Sequence, residues 1–402
     1  FQLSHDSRQL TVSRYLITNW LSSDSRMVKR VKQPICFLLA TIVICEGMKR
    51  TSTTFKSGED LLLLAGQDEI GEPLSSSDFQ LSHDSVDVSL RIQVDPIYSQ
   101  SYFQGDIYNI PIARLQADDQ FDESISGERP KRWKKGLIPY VISSRFTAEE
   151  RLTIARAFEE YQELTCINFV PRRDEADYIH LLREEGCSSA VGRTGGVQVV
   201  SLGSGCLLLG IVLHELMHVL GFWHEHSRPD REPFISIVYP NIKTGLSYNF
   251  KKMSTNSFHD LSVLYDINSI THYGPYAFSR DKSKPTIINL LKGGDMGQRK
   301  GLSQRDIEKI NRLYCADFPK PTAIQFPDGC TDASLHCRFW SRIGECERND
   351  EYMQVNCQKS CGQCGDLCSD DSDYCFTWAG AGECSTNPDY MKRFCRKSCQ
   401  LC

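Results

Sequence analysis

The chain lacks an Asn-x-Ser/Thr sequon anywhere in its 402 residues, so it offers no acceptor for N-linked glycans. It has no glycine-rich nucleotide loop and no Gly-x-Ser-x-Gly elbow, which removes the usual sequence grounds for nucleotide chemistry and serine hydrolysis. No basic stripe is present and the formal net charge is −5, so nucleic acid is not an expected partner. Long apolar runs are missing too. The run Ile35–Cys45 has eleven residues, short of the ~20 that a spanning helix needs, and no membrane span is expected. What the chain has in excess is cysteine. Of eighteen, Cys36 and Cys45 lie near the start, four are spread over 166–315, and twelve crowd into 330–402. A chain of this length can hold two or three domains and at least one substantial core.

Met27 opens a basic stretch, Met-Val-Lys-Arg-Val-Lys-Gln-Pro, followed by the apolar run and then Glu-Gly. That is the pattern of a secretory signal over 27–47. Cleavage near Gly47 removes Cys36 and Cys45 and leaves sixteen cysteines, an even number suited to an oxidising compartment. A secreted, extracellular protein is expected. Residues 1–26 precede this start, and the heptad Phe-Gln-Leu-Ser-His-Asp-Ser at 1–7 recurs unchanged at 79–85. They are set aside as a duplicated or wrongly assembled extension.

Residues 48–132 are polar and weakly periodic. Beyond them, Leu137–Ser143 reads as a strand, with Pro139 favouring a sheet edge or a strand start. Thr147-Ala-Glu-Glu150 is a capping-box pattern, and Leu152, Ala155, Phe158 and Tyr161 continue it at helical spacing. Ile167–Pro171 and Tyr178–Arg183 read as short strands, and Gly192–Leu202 as a strand near a sheet edge. Leu207–Phe222 is apolar almost all round, which predicts a buried helix. Ser303-Gln-Arg-Asp306 caps a last helix ending near Cys315, and the proline-bearing stretch 316–329 reads as a linker. After it, cysteines 330, 337, 346, 357, 361 and 364 return at 368, 375, 384, 395, 399 and 402, an offset of 38 with every spacing kept. Units of this size cannot fold on an apolar core alone, so three bridges should staple each. Spacing leaves fifteen pairings open.

The chemistry is concentrated in His214-Glu-Leu-Met-His218-Val-Leu-Gly-Phe-Trp-His224. Histidines four apart lie on one helix face and can reach one metal ion. Gly221 allows the chain to leave the helix and bring His224 round as a third ligand. Glu215 can reach water at the metal but not the metal itself. Three neutral histidines and an open position describe a catalytic zinc, and the extended string has the metzincin form. Glu215 would take a proton from water and return it to the leaving amine. His226 and His272 read as flanking groups, His180 as structural, and neither His259 nor His336 suggests a second metal.

From about Trp133 to Cys315 the chain resembles the astacin family of zinc endopeptidases. The resemblance rests on His214 through Arg231, Ser269-Ile-Thr-His-Tyr273, Gly192-Arg-Thr-Gly-Gly-Val-Gln198 and Leu302 through Cys315. It implies an α+β, two-lobed protease domain over 124–315, with mixed sheet, active-site helix and a cleft between lobes. One zinc ion per catalytic domain and hydrolysis of internal peptide bonds in extracellular proteins or peptides follow from it. So do bridges Cys166–Cys315 and Cys187–Cys206, a role for Tyr273 at the metal and the oxyanion, and Glu225 as anchor of the trimmed amino terminus. The strand preceding Cys206 would pair with extended substrate. Phe103-Gln-Gly-Asp-Ile107 resembles the family's pro-segment motif, which implies a zymogen with Asp106 on the zinc and a propeptide over 48–123. Its end lies between 123 and 132: Arg129-Pro-Lys-Arg132 is a dibasic site, but a cut near Ser124 fits the resemblance better. An activating protease is therefore an expected partner. The family has methionine where this chain has Thr271, an apolar floor under the histidines. Thr271 is the ground for an alternative reading, a weak or inactive scaffold that binds extracellular partners.

The modules at 330–364 and 368–402 resemble the sea-anemone toxin-like (ShK) module. That implies Cys330–Cys364, Cys337–Cys357, Cys346–Cys361, Cys368–Cys402, Cys375–Cys395 and Cys384–Cys399. Channel-blocking members use a Lys-Tyr pair, whereas Glu351 and Asp389 precede the tyrosines here. A protein-binding accessory role is expected instead, on a protein expected to be monomeric.

Overall fold

The computed structural model describes residues 37–39, 42–44, 58–84, 95–110, 128–316, 331–363, and 370–401 without 371, 373, 389 and 392–394. Residues 1–26, the region around Ser124, linker residues 317–329, and Cys330, Cys364, Cys368 and Cys402 lie outside the described residues. The chain divides into two units, 1–53 and 54–402. In the first, β1 (Phe37–Leu39) pairs antiparallel with β2 (Ile42–Ile44).

The second unit is α+β. Its elements begin with two helices upstream of the protease domain, α1 (Gly58–Ala65) and α2 (Ser76–Asp84), in the stretch that reads as polar and aperiodic. Only a narrow side of each is buried, and Leu62 and Leu63 of α1 are exposed. Leu61 of α1 packs with Tyr102, Leu182 and Val199, and Phe79 of α2 enters the main core. Next come β3 (Leu137–Ile142), α3 (Ala148–Leu164), β4 (Asn168–Pro171), β5 (Tyr178–Leu182), β6 (Cys187–Ser189) and β7 (Val197–Leu202). The sheet runs β4-β3-β5-β7-β6, parallel except for β6. Pro139 therefore stands in an interior strand, not an edge. It is tolerated because β3 pairs with β5 only from Tyr140 onward, so at Pro139 one side carries no ladder.

Thr147 caps α3 and the Glu150 carboxylate reaches back to the cap, so the box forms as read. Ile154, Ala155, Phe158 and Tyr161 are the helix's buried face. Tyr161 donates its hydroxyl to the Leu213 carbonyl at 2.8 Å, tying α3 to the middle of α4 (Leu209–Val219), every residue of which is buried. A second core forms below from Trp223, Tyr248, Phe250, Tyr265, Tyr273, Phe278 and their neighbours, around the antiparallel pair β8 (Ile235–Ile237) and β9 (Ile287–Asn289). Two lobes result, one built on the sheet and one largely irregular. Helix α5 (Gln304–Ile310), capped by Ser303, widens into a π-helical turn at Asn311–Cys315. Disulfides join Cys166 to Cys315 and Cys187 to Cys206.

The C-terminal modules repeat one design. Helices α6 (Cys337–Arg342), α7 (Glu345–Arg348) and α8 (Asp350–Asn356) form the first; α9 (Cys375–Gly380) and α10 (Glu383–Thr386) belong to the second. Bridges Cys337–Cys357 and Cys346–Cys361 are matched by Cys375–Cys395 and Cys384–Cys399. Asp332 accepts from the Ser360 amide and hydroxyl, as Asp370 does from Ser398. Among the described residues no helix is long and apolar enough to cross a membrane.

Candidate metal centre

Helix α4 carries His214 and His218 one turn apart and ends at a turn that needs glycine. Gly221 has φ +101°, and a side chain there would press on Pro130 at 3.2 Å. The turn reverses the chain so that His224 faces the other two from the second lobe. His214 Nε2 lies 3.1 Å from His218 Nε2 and 3.2 Å from His224 Nε2. All three rings are fully buried.

What aims these nitrogens is the other side of each ring. His214 Nδ1 lies 2.8 Å from the Ile270 carbonyl, His218 Nδ1 2.7 Å from that of Phe222, and His224 Nδ1 2.8 Å from Gln104 Oε1. A carbonyl only accepts, so each Nδ1 carries the proton and each Nε2 presents a lone pair. Burial keeps His214 below its ordinary value and His224 down to about 3, so both rings stay neutral.

Asp106 is the fourth member. One of its oxygens sits 3.1 Å from His214 Nε2 and 3.2 Å from His224 Nε2, and the other 3.7 Å from His218 Nε2. Three lone pairs and an anion converging in a dry pocket repel one another unless a cation sits among them. The donor set, imidazole and carboxylate, suits zinc. Among the described residues these four are the group able to hold a metal.

Glu215 follows on the same helix with both carboxylate oxygens buried and without a hydrogen-bond partner. Burial, and then the neighbouring Asp106 charge, raise it well above its ordinary value. Tyr273 stacks on His226, 3.7 Å between centroids, and donates its hydroxyl to the Gln104 carbonyl at 2.5 Å, so the backbone of the upstream segment holds it. Thr271 is buried. Its hydroxyl meets Ser269 Oγ at 3.0 Å, and Ser269 in turn donates to Asp306, so a polar chain braces the turn where a sulfur would pack.

Glu225 is buried and already paired, with Lys309 at 2.6 Å and Arg228 at 3.2 Å, beside a cavity of about 470 Å³ that Thr271 also lines. Other described histidines make contacts of their own. His180 pairs with Asp68, His226 lies against the Asn249 carbonyl and His272 against Tyr265; His336 lies among aromatic rings. Sequence reasoning missed Gln104, which sits in the quoted motif, and Asp306, noted only as a helix cap. The Asp306 carboxylate accepts from the Ile270 amide at 2.7 Å and so fixes the carbonyl that orients His214.

The upstream segment 95–110 passes through the cleft. Gly105, at φ +92°, lets it turn where any side chain would strike the Ile97 carbonyl. Ile107 then bridges Ser189 in parallel; the Ser189 amide donates to the Asp106 carbonyl at 2.9 Å. The strand preceding Cys206 is not free to receive substrate, contrary to the expectation from the resemblance. That strand, β7, is sandwiched between β5 and β6, so both its backbone edges are used, and the edge facing the cleft is β6.

This fold and site are those of a metal-dependent peptidase, and the comparisons define which. A model of the astacin family of peptidases matches residues 126–315, and the ShK domain-like family matches 329–364 and 367–402. Zinc metalloproteinase nas-13 of Caenorhabditis elegans is 35% identical over 334 residues, covering 67% of this chain and 74% of that protein. Astacin-like metalloendopeptidase of Mus musculus is 46% identical over 192 residues, 46% of this chain and 43% of that protein. Among solved structures, high choriolytic enzyme 1, a hatching enzyme zinc-protease from Oryzias latipes, is 41% identical, with a TM-score of 0.43 over 46% of this chain and 94% of that one. The chain belongs to the astacin family. It is a zinc metalloendopeptidase of the metzincin fold carrying two ShK-like modules.

Proposed function

We propose that the chain is a secreted zymogen whose protease site is built from His214, His218 and His224 as zinc ligands and Glu215 as general base, with Asp106 as the internal blocker. The observation that carries this is the protonation pattern: three Nδ1–H groups tied to carbonyls leave three Nε2 lone pairs converging beside an unpartnered carboxylate. Zinc bound there would acidify water and polarise the scissile carbonyl. Glu215, raised by burial, is suited to take a proton on a carboxylate oxygen and to return it to the leaving amine nitrogen. Tyr273, once released from the Gln104 carbonyl, would donate its hydroxyl to the oxyanion. The edge of β6, now bridged by Ile107, would receive extended substrate backbone.

Removal of residues 95–110 by an activating protease opens the site. The dibasic stretch is a poor place to cut, because Pro130 is buried and the Lys131 carbonyl accepts from the Arg193 amide at 2.8 Å. A cut upstream, near Ser124, spares those contacts. Secretion is supported by six disulfides among the described residues, which suit an oxidising compartment. Glu215→Gln is the test. It should keep one zinc per chain by metal analysis while lowering casein cleavage after activation by about 10²–10⁴-fold. Undiminished cleavage would remove the base assignment.

A further inference from the structure

The first C-terminal module is built around a residue of the pro-segment. Leu74 is gripped from two sides: its amide donates to the Tyr140 hydroxyl of the protease domain at 3.1 Å, and its carbonyl accepts from the Trp340 indole at 2.9 Å. Phe79, on α2, lies edge-on to Trp340 with 5.2 Å between centroids and tilted against His336 at 5.0 Å. Ser76 donates to Glu345 and accepts from the Asn349 amide group at 2.9 Å. Leu74, Phe79, Trp340 and Met353 belong to the same core as the sheet and α4. On the opposite side Arg151 pairs with Asp78 at 2.8 Å. Helix α2 is thus a layer between protease and module. The module's indole N–H, its Glu345 and its Asn349 all find their partners on that helix or at Leu74 just before it, and none of the three faces the metal centre.

Building on the zymogen reading, we propose that the first ShK-like module is the docking site that retains the pro-segment, so that cutting the chain between residues 110 and 128 does not by itself free the metal centre. The cut breaks one peptide bond but leaves every α2 contact in place. The pro-segment then stays bound as a separate chain, and activity appears only as α2 leaves the face formed by Trp340, His336, Glu345 and Asn349. Trp340, His336 and Met353 are exposed by that departure, so activation also uncovers an apolar surface on the module.

The test uses the full chain with a specific protease site placed between residues 110 and 128. After cutting, the pro-segment of the wild type should co-elute with the enzyme and cleavage of a peptide substrate should lag until dilution. Phe79→Ala should weaken retention roughly 100-fold. Glu345→Ala should weaken it about 5–10-fold from the module side. Trp378→Ala, on the second module, should leave it unchanged. Equal loss of pro-segment from the wild type, Phe79→Ala and Glu345→Ala would overturn the proposal, as would a wild type that releases it at once. Failure of the zymogen reading looks different: an uncut Asp106→Ala chain would then be no more active than uncut wild type, whatever the retention.

Discussion

The two C-terminal modules share a cysteine frame at an offset of 38 and the same aspartate-to-serine clasp, yet only one has become part of the protease core. Trp340 is fully buried beneath α2, whereas its counterpart Trp378 is half-buried and flanked by Tyr374 and Phe376, 66% and 83% exposed. Glu345 is buried on Ser76 while the matching Glu383 is half-buried, and Asn349 reaches Ser76 while Asn387 is exposed. What a small bridged module buries is decided by what lies against it, since its own frame supplies little core. The bridges fix the shape, and the neighbour decides how that shape is used.

Four comparisons would break or sharpen this contrast. Trp340→Ala should destabilise the first module by about 3–5 kcal/mol, and Trp378→Ala the second by about 1–2 kcal/mol. Hydrogen exchange of the α6 and α9 amides reads both, and equal losses would end the comparison. Acid comes next. Burial holds His336 at about 3, so the unfolded state binds the extra proton first as pH falls. The stability His336 contributes is complete above about 6.5 and drains away towards 3, a loss of about 2 kcal/mol at pH 5. The second module has Tyr374, not an imidazole, at the matching position. Exchange in the first module, corrected for intrinsic rates, should therefore rise at pH 5 relative to pH 7, and His336→Tyr should abolish the rise. Glu345→Ala should cost about 1–2 kcal/mol in the same assay, and Glu383→Ala less than half of that. The smallest contrast should be between Asp332→Ala and Asp370→Ala. Each removes a clasp internal to its own module, so the two should lose protection alike.

Much of the protease site is legible in sequence because it is local. Two histidines at helical spacing, a glycine that ends the helix and a third histidine occupy eleven residues, and the capping boxes at Thr147 and Ser303 form as read. What escapes is held by distance. Gln104 lies 120 positions from the His224 ring it orients, and nothing around Gln104 marks it as an acceptor. Helix α2, Ser-Ser-Asp-Phe-Gln-Leu-Ser-His-Asp, has too few apolar residues for periodicity to reveal, and it is helical because Phe79 and its flanks have surfaces on both sides to pack against. Strand β6 is three residues long, too short for alternation to register, and the neighbouring β7 drew the substrate role instead. The cysteine repeat is visible at a glance, but the unequal fate of its two halves is not.

Asp306 caps the last helix of the protease domain and, with the same carboxylate, pins the turn whose carbonyl sets the tautomer of His214. With the proposed ligand set, loosening that helix and loosening the grip on zinc are one event seen twice. Chelators should lower the melting temperature of this protein, and destabilising changes around Cys315 should surface first as metal loss, well before the chain unfolds.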